Sequence, residues 1–227
     1  EILERLNLFS GGMEFASEML IKAGIHRIRI KEVPIRLSKD LRDHKPHLHT
    51  WQDGWRHLRL ILIYAPNFLF IYPGLFLFGL GGLLLFAQVQ GPVQVGPVYM
   101  DLHFMILGLT FSLLGLSIIH MGCIIKIFSW QNNYYEKDIL VLLLKKISFE
   151  KKLLISLLVF LFGCFLDLKV LIDWIRIDFA DPEMIRYAVY GLYFIFVGFS
   201  SLLFFFLEAV LRTESGVSTK PSIISHV

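Results

Sequence analysis

Two carboxylates stand four residues apart in the segment Gly12-Met13-Glu14-Phe15-Ala16-Ser17-Glu18-Met19. On a helix that spacing brings Glu14 and Glu18 to one face, a turn apart. Such a pair can act as a general base or position a leaving group. Two exposed glutamates solvating a helix face give the same pattern. Further along, Lys39, Arg42, His44, Lys45, His47 and His49 gather in a stretch without apolar periodicity. Cations on such a loop beside a membrane bind phosphate, of a nucleotide or of a lipid headgroup. An ordinary basic patch drawn to anionic lipid has the same composition. His44, His47 and His49 offer three imidazoles for zinc, but Pro46 interrupts any helical ligand spacing. Deeper in the chain, His120 and the group Asp167, Lys169 and Asp173 lie within or at the ends of apolar runs. Ionisable residues at membrane depth are functional candidates by default. Asp167 onward lies close enough to a helix end to snorkel, and Lys169 with Asp173 forms an i,i+4 pair, so structural roles suit them.

The elements that must position these groups follow from composition. Of 227 residues, 56% are hydrophobic, above the 45–50% typical of soluble domains. Residues 1–60 hold 11 of the 22 Lys and Arg and 8 of the 19 Asp and Glu. The remainder is apolar, with its charges clustered between long runs. This divides the chain into a polar segment and a membrane domain. Sixty residues bury only a marginal core, so the polar segment needs a partner surface or further sequence. Glu1-Ile2-Leu3-Glu4-Arg5-Leu6 reads as a helix already under way, no signal peptide opens the chain, and the expectation is that the N-terminus of the protein lies upstream. A net charge of +3 carries no nucleic-acid footprint. Cys123 and Cys164 fall inside apolar runs and read as small buried residues, with no disulfide framework or zinc spacing.

Residues 13–24 have helical periodicity, with Met13, Ala16, Leu20 and Ala23 on one face and Gly24 as a C-cap. Residues 25–37 alternate in part: Ile28 and Ile30 would face one side of a short strand, with Arg27, Arg29 and Lys31 on the other, and Pro34 ends it or makes it an edge. In 51–60 Trp51, Trp55 and Leu58 share a helical face, with Arg56 off it and Arg59 at its border. Trp and Arg directly before an apolar run mark an interfacial helix. Four apolar runs follow, at about 62–86, 103–125, 153–174 and 187–208, each long enough to cross roughly 30 Å of hydrocarbon. Pro66 and Pro73 are placed to kink the first; Gly79, Gly81 and Gly82 would admit close packing. Residues 88–100, with two Gly-Pro pairs, read as a turn-rich connection. The 126–152 connection carries six Lys against three acids, 173–186 two Arg against four acids, and 88–102 no Lys or Arg. The positive-inside rule then places residues 1–60, 126–152 and the 213–227 tail in the cytoplasm.

Taken in order, GGMEFASEMLIKAG, KEVPIRLS and HKPHLHTWQDGWRHLRLILIYAPNFLF resemble the family 2 glycosyltransferases related to dolichyl-phosphate mannose and polyprenyl-phosphate glucose synthases. The likeness covers about residues 10–75; the later helices match only in being apolar. It implies a fold class of a C-terminal α/β GT-A remnant, residues 1–50, then an interfacial helix at 51–60 and an all-α membrane domain of four transmembrane helices over 61–212. It implies transfer of a sugar from a nucleotide-sugar to polyprenyl phosphate at the cytoplasmic face. Glu14 and Glu18 would then be catalytic. Lys39, Arg42, Lys45 and His47 would bind the acceptor phosphate, and Trp51, Trp55, Arg56 and Arg59 would sit at the membrane interface. The family's nucleotide-binding half, with its Asp-x-Asp motif for Mg or Mn, has no counterpart in this sequence; close acidic repeats such as Asp178 and Asp181 fall outside on this topology. These 227 residues are therefore expected to be inactive alone. Where the family often has Arg-Pro-Pro-His-Leu-Arg, this chain has Lys45-Pro46-His47-Leu48-His49, which keeps part of the charge but not the guanidinium geometry. The rival reading is a non-catalytic anchor or a lipid-binding, flippase-like partner. The oligomeric state is left open, a homo-oligomer included.

Overall fold

A computed structural model describes residues 6, 8, 10–36, 50–131, 138–176 and 184–217. Seven helices and one β-hairpin appear among them. Helix α1 is Phe15–Ile25, and α2 is Thr50–Tyr64. A π-helical turn, Asn67–Ile71, leads into α3, Tyr72–Phe86. Strands β1, Val93–Val95, and β2, Val98–Met100, pair antiparallel, with Val93 opposite Met100. Then come α4, Leu102–Gln131, α5, Ile139–Lys146, α6, Phe149–Arg176, and α7, Met184–Val217.

Among the described residues four helices are long and apolar enough to cross a membrane: Asn67–Phe86, Leu102–Gln131, Phe149–Arg176 and Met184–Arg212. Each has a window of mean hydropathy between 2.1 and 2.4, of which only 11% to 22% is buried within the protein. So much exposed apolar surface is stable only against lipid. The helices form two antiparallel hairpins, α3 on α4 and α6 on α7, joined where α4 packs against α7. The β-hairpin closes one end of the bundle, where Arg186 pairs with Asp101 and the Tyr190 hydroxyl donates to the Leu85 carbonyl at 2.9 Å. Helix α2 sits at the other end: the Ser129 hydroxyl, near the end of α4, donates to the Ile63 carbonyl at 3.2 Å.

The contact between α3 and α4 is made by glycines. A Cβ built on Gly108 would stand 2.7 Å from the Leu85 nitrogen and 2.8 Å from the Gly81 oxygen, and one on Gly115 would stand 2.7 Å from the Gly74 oxygen. The two backbones touch, as expected where lipid supplies no hydrophobic drive and close dispersion contact must hold helices together. Buried side chains collect on either side of this layer. Leu85, Met105, Val189, Tyr190 and Tyr193 lie toward the hairpin end, and Ile71, Cys123 and Phe204 toward the α2 end. Both cysteines are free thiols.

Several expectations need correction. Residues 28–36 form no strand. A strand needs a ladder partner for its backbone groups, and none of the described residues pairs with this one. Among the described residues the α/β part of the expected fold class is therefore not seen; the sheet there consists of β1 and β2, in the connection read from sequence as turn-rich. The 126–152 connection contains α5, whose N-cap Asp138 accepts from the Leu140 and Val141 amides at 2.9 and 3.2 Å. The apolar helices also run past the charges expected to end them. Helix α4 continues through Lys126 because that ammonium is neutralised by Asp138 at 2.7 Å and hydrogen-bonded to Asn67. Pro66 and Pro73 bracket the π turn. Neither can donate to the carbonyl one turn back, and the widened turn between them carries Asn67, whose side chain meets Lys126.

Candidate functional site

Helix α1 lies across α2 through polar contacts. The Ser17 hydroxyl is 3.5 Å from His57 Nδ1. Glu18 is wholly buried; one carboxylate oxygen accepts from the Ser10 amide at 2.8 Å and the other pairs with Lys22 at 2.7 Å. A buried carboxylate with such partners anchors the chain entering α1. Glu14, four residues earlier at the helix N-cap, is different. Its Oε2 is shielded from solvent and has no hydrogen-bond partner among the described residues. Glu14 faces a cavity of about 220 Å³ whose wall includes Ser10, Gly11, Arg56, Arg59 and Leu60. Gly12 makes room for this: a Cβ there would stand 2.7 Å from Glu14 Oε2 and 3.2 Å from an Arg56 guanidinium nitrogen. The sequence pairs the two glutamates, whereas the packing gives them separate environments. Arg56 and Arg59, read from sequence as interface residues, share the cavity with Glu14.

Helix α2 presents Trp51, Trp55, Leu58 and Ile61 on its exposed side, Trp51 at 87% exposure, while Asp53 and Leu60 are buried. Asp53 lies 3.6 Å from Arg56 and helps orient it toward the cavity. The aromatic face suits the headgroup level of a bilayer. Lys39, Arg42, Lys45 and His47 lie outside the described residues.

The α2 end of the bundle holds a second polar assembly. Lys152 Nζ pairs with both oxygens of Glu208 at 2.7 and 2.8 Å, and Arg212 pairs with the same carboxylate. Lys126, Asp138 and Asn67 form the neighbouring group. Higher up, His120 stacks on Phe204 at 4.5 Å, with Nδ1 3.3 Å from the Ser200 hydroxyl. At the hairpin end, Asp167 packs against Gly191, while Lys169 and Asp173 line a largely apolar cavity of about 730 Å³ with Phe86, Tyr187 and Tyr190. Among the described residues no three His, Cys, Asp or Glu side chains come together to hold a metal ion. A divalent ion of the kind the resemblance implies has no ligand set among them.

Residues 123–212 match the model of the family 2 glycosyltransferase C-terminal transmembrane region. Over this stretch the membrane domain is similar to that of family 2 glycosyltransferases. The chain is also 31% identical over 203 residues to the low-salt glycan biosynthesis hexosyltransferase Agl6 of Haloferax volcanii, covering 86% of this chain and 48% of that protein. It thus spans about half the length of the curated relative it matches. No solved structure matches it. The stretch that matches the glycosyltransferase transmembrane region contains Lys126, Asp138, Lys152, Glu208 and Arg212, which sequence reasoning assigned to connections and helix ends. The signal was present: apolar sequence continues on both sides of Lys126 and Glu208, and a charge inside a span must find a partner.

Proposed function

We propose that the whole protein transfers a hexose from a nucleotide-sugar to a polyprenyl phosphate, at the cytoplasmic face of the membrane. The observation that carries this reading is the cavity where Glu14, Arg56 and Arg59 meet at the foot of an apolar bundle, on a helix whose exposed face is aromatic. Similarity to a hexosyltransferase suggests the sugar class, and the resemblance read in residues 10–75 suggests the lipid acceptor. An acceptor phosphate is already an anion, so it needs cationic positioning more than a strong base. Its oxygen bonds to the anomeric carbon as the bond from that carbon to the nucleotide diphosphate breaks, and the diphosphate departs with the electron pair. Guanidinium groups hold phosphate in a forked geometry, and holding it falls to Arg56 together with Arg42 and Lys45. Glu14 Oε2, with no partner among the described residues, is placed to accept from a sugar hydroxyl. Glu18 supports it by fixing the turn. On this reading residues 1–227 do not turn over without the donor-binding residues they lack.

In the full-length enzyme, Arg56→Ala, Arg42→Ala and Lys45→Ala are each expected to weaken use of the lipid acceptor by about tenfold to a hundredfold, the worth of one charge-assisted contact. Nucleotide-sugar binding changes much less. Steady-state kinetics with acceptor varied at two ionic strengths checks this. Equal, salt-sensitive losses at Lys39, Arg42, Lys45 and Arg56 would leave only general attraction to anionic lipid.

The orientation rests on the excess of Lys in 126–152. A cysteine at Ser148 is expected to resist an impermeant thiol reagent added to intact cells, and one at Ala180 to react. The opposite labelling would move the α2 end, and the site with it, to the outer face.

A further inference from the structure

A second cavity, of about 180 Å³, opens at the α2 end of the bundle and shares no residue with the one beside Glu14. Ile127, Trp130 and Gln131 of α4, Val141 and Lys145 of α5, and Arg212 of α7 form its wall. Both charged groups among its described lining residues are cations. The Lys145 ammonium stands 3.3 Å from the centroid of the Trp130 ring. Gln131 is pinned by donating to the Leu211 carbonyl at 2.8 Å. Arg212 reaches the wall from a carboxylate, Glu208, that it shares with Lys152. Nearby, Lys126 pairs with Asp138. Lys145 adds a second cation to the wall beside Arg212. Burial, and then the charge of Arg212, hold the Lys145 ammonium below the usual lysine range, as expected of two neighbouring cations.

The location indicates what kind of anion arrives. Helix α5 buries Val141 and exposes Ile139, Leu142 and Leu143, the pattern of a helix lying at the bilayer surface. Trp130 is an aromatic near the end of a membrane-spanning helix, where such rings mark the headgroup level. A cavity with two cations, an amide and an indole at that depth fits one phosphate, and at that depth lipids supply it.

We propose that this cavity is a phosphate site and that the phosphate belongs to an anionic membrane lipid, seated between Lys145 and Arg212. The lipid joins α4, α5 and α7 at the end of the bundle nearest the candidate active site. This inference does not depend on the proposed reaction.

Thermal unfolding of the purified chain in neutral detergent, titrated with phosphatidylglycerol, phosphatidylcholine or inorganic phosphate, tests it. Phosphatidylglycerol is expected to raise Tm, since a ligand bound only by the folded state stabilises it. Lys145→Gln is expected to reduce the apparent affinity about tenfold or more. Lys146→Gln removes the same charge from the same helix, but Lys146 does not line the cavity; it should keep the response. Both side chains are exposed, so either variant leaves the packing intact. Equal losses in the two variants, equal stabilisation by phosphatidylcholine, or no response to any phosphate would overturn the site. Stabilisation by inorganic phosphate but not by phosphatidylglycerol would overturn the lipid as its source.

Discussion

Glu208→Gln is expected to destabilise the membrane domain by about 3–5 kcal/mol, the range seen when one member of a buried ion pair is removed. The Glu208 side chain is 2% exposed and that of Lys152 5% exposed. Desolvating either charge is costly, and the contact between them, within 2.8 Å, offsets that cost. The substitution removes the carboxylate that Lys152 and Arg212 share. Lys152→Met is expected to cost less, because Glu208 keeps Arg212. The double variant Lys152→Met/Glu208→Gln should fall well short of the sum of its singles, since it removes the charges together. Reversible unfolding of the four proteins in one detergent measures this cycle. A loss for Glu208→Gln within about 1 kcal/mol, or additive singles, would mean that water reaches the network.

Gly81→Leu is expected to separate α3 from α4 at a cost of about 3 kcal/mol or more, at or above the upper end of overpacking penalties. A Cβ on Gly81 would stand 2.5 Å from the Gly108 oxygen and closer still to the Ser112 nitrogen. Both obstacles are backbone, so no rotamer change relieves them and the helix axes must part. The adjacent Gly82 is the control, since a Cβ there meets nothing within 4 Å. Gly82→Leu places an apolar side chain toward lipid and should stay within about 0.5 kcal/mol of the parent. Thermal denaturation in detergent, with cysteine cross-linking between α3 and α4, follows both stability and separation. Similar losses at Gly81 and Gly82 would show that backbone contact does not hold this pair.

The four spans are determined by apolar runs alone, because a helix in lipid must satisfy its backbone internally and needs about 20 apolar residues to cross. Their ends are not. Lys126 and Lys152 read as loop residues until Asp138 and Glu208 come up beside them, and pairing across 56 residues between Lys152 and Glu208 has no local signature. Among the glycines, sequence marks a small-residue stripe; only packing shows that Gly81 faces α4 while Gly82 faces lipid. The amphipathic face Trp51-Trp55-Leu58 follows from helical spacing, as does the nearness of Glu14 to Glu18. Which glutamate is held and which is available depends on Lys22, on the Ser10 amide and on the cavity beside Arg56. Periodicity determines which face a residue occupies, because helix geometry is local. The charge state, partner and accessibility of a polar group depend on what a distant segment brings against that face, and only the tertiary structure decided those.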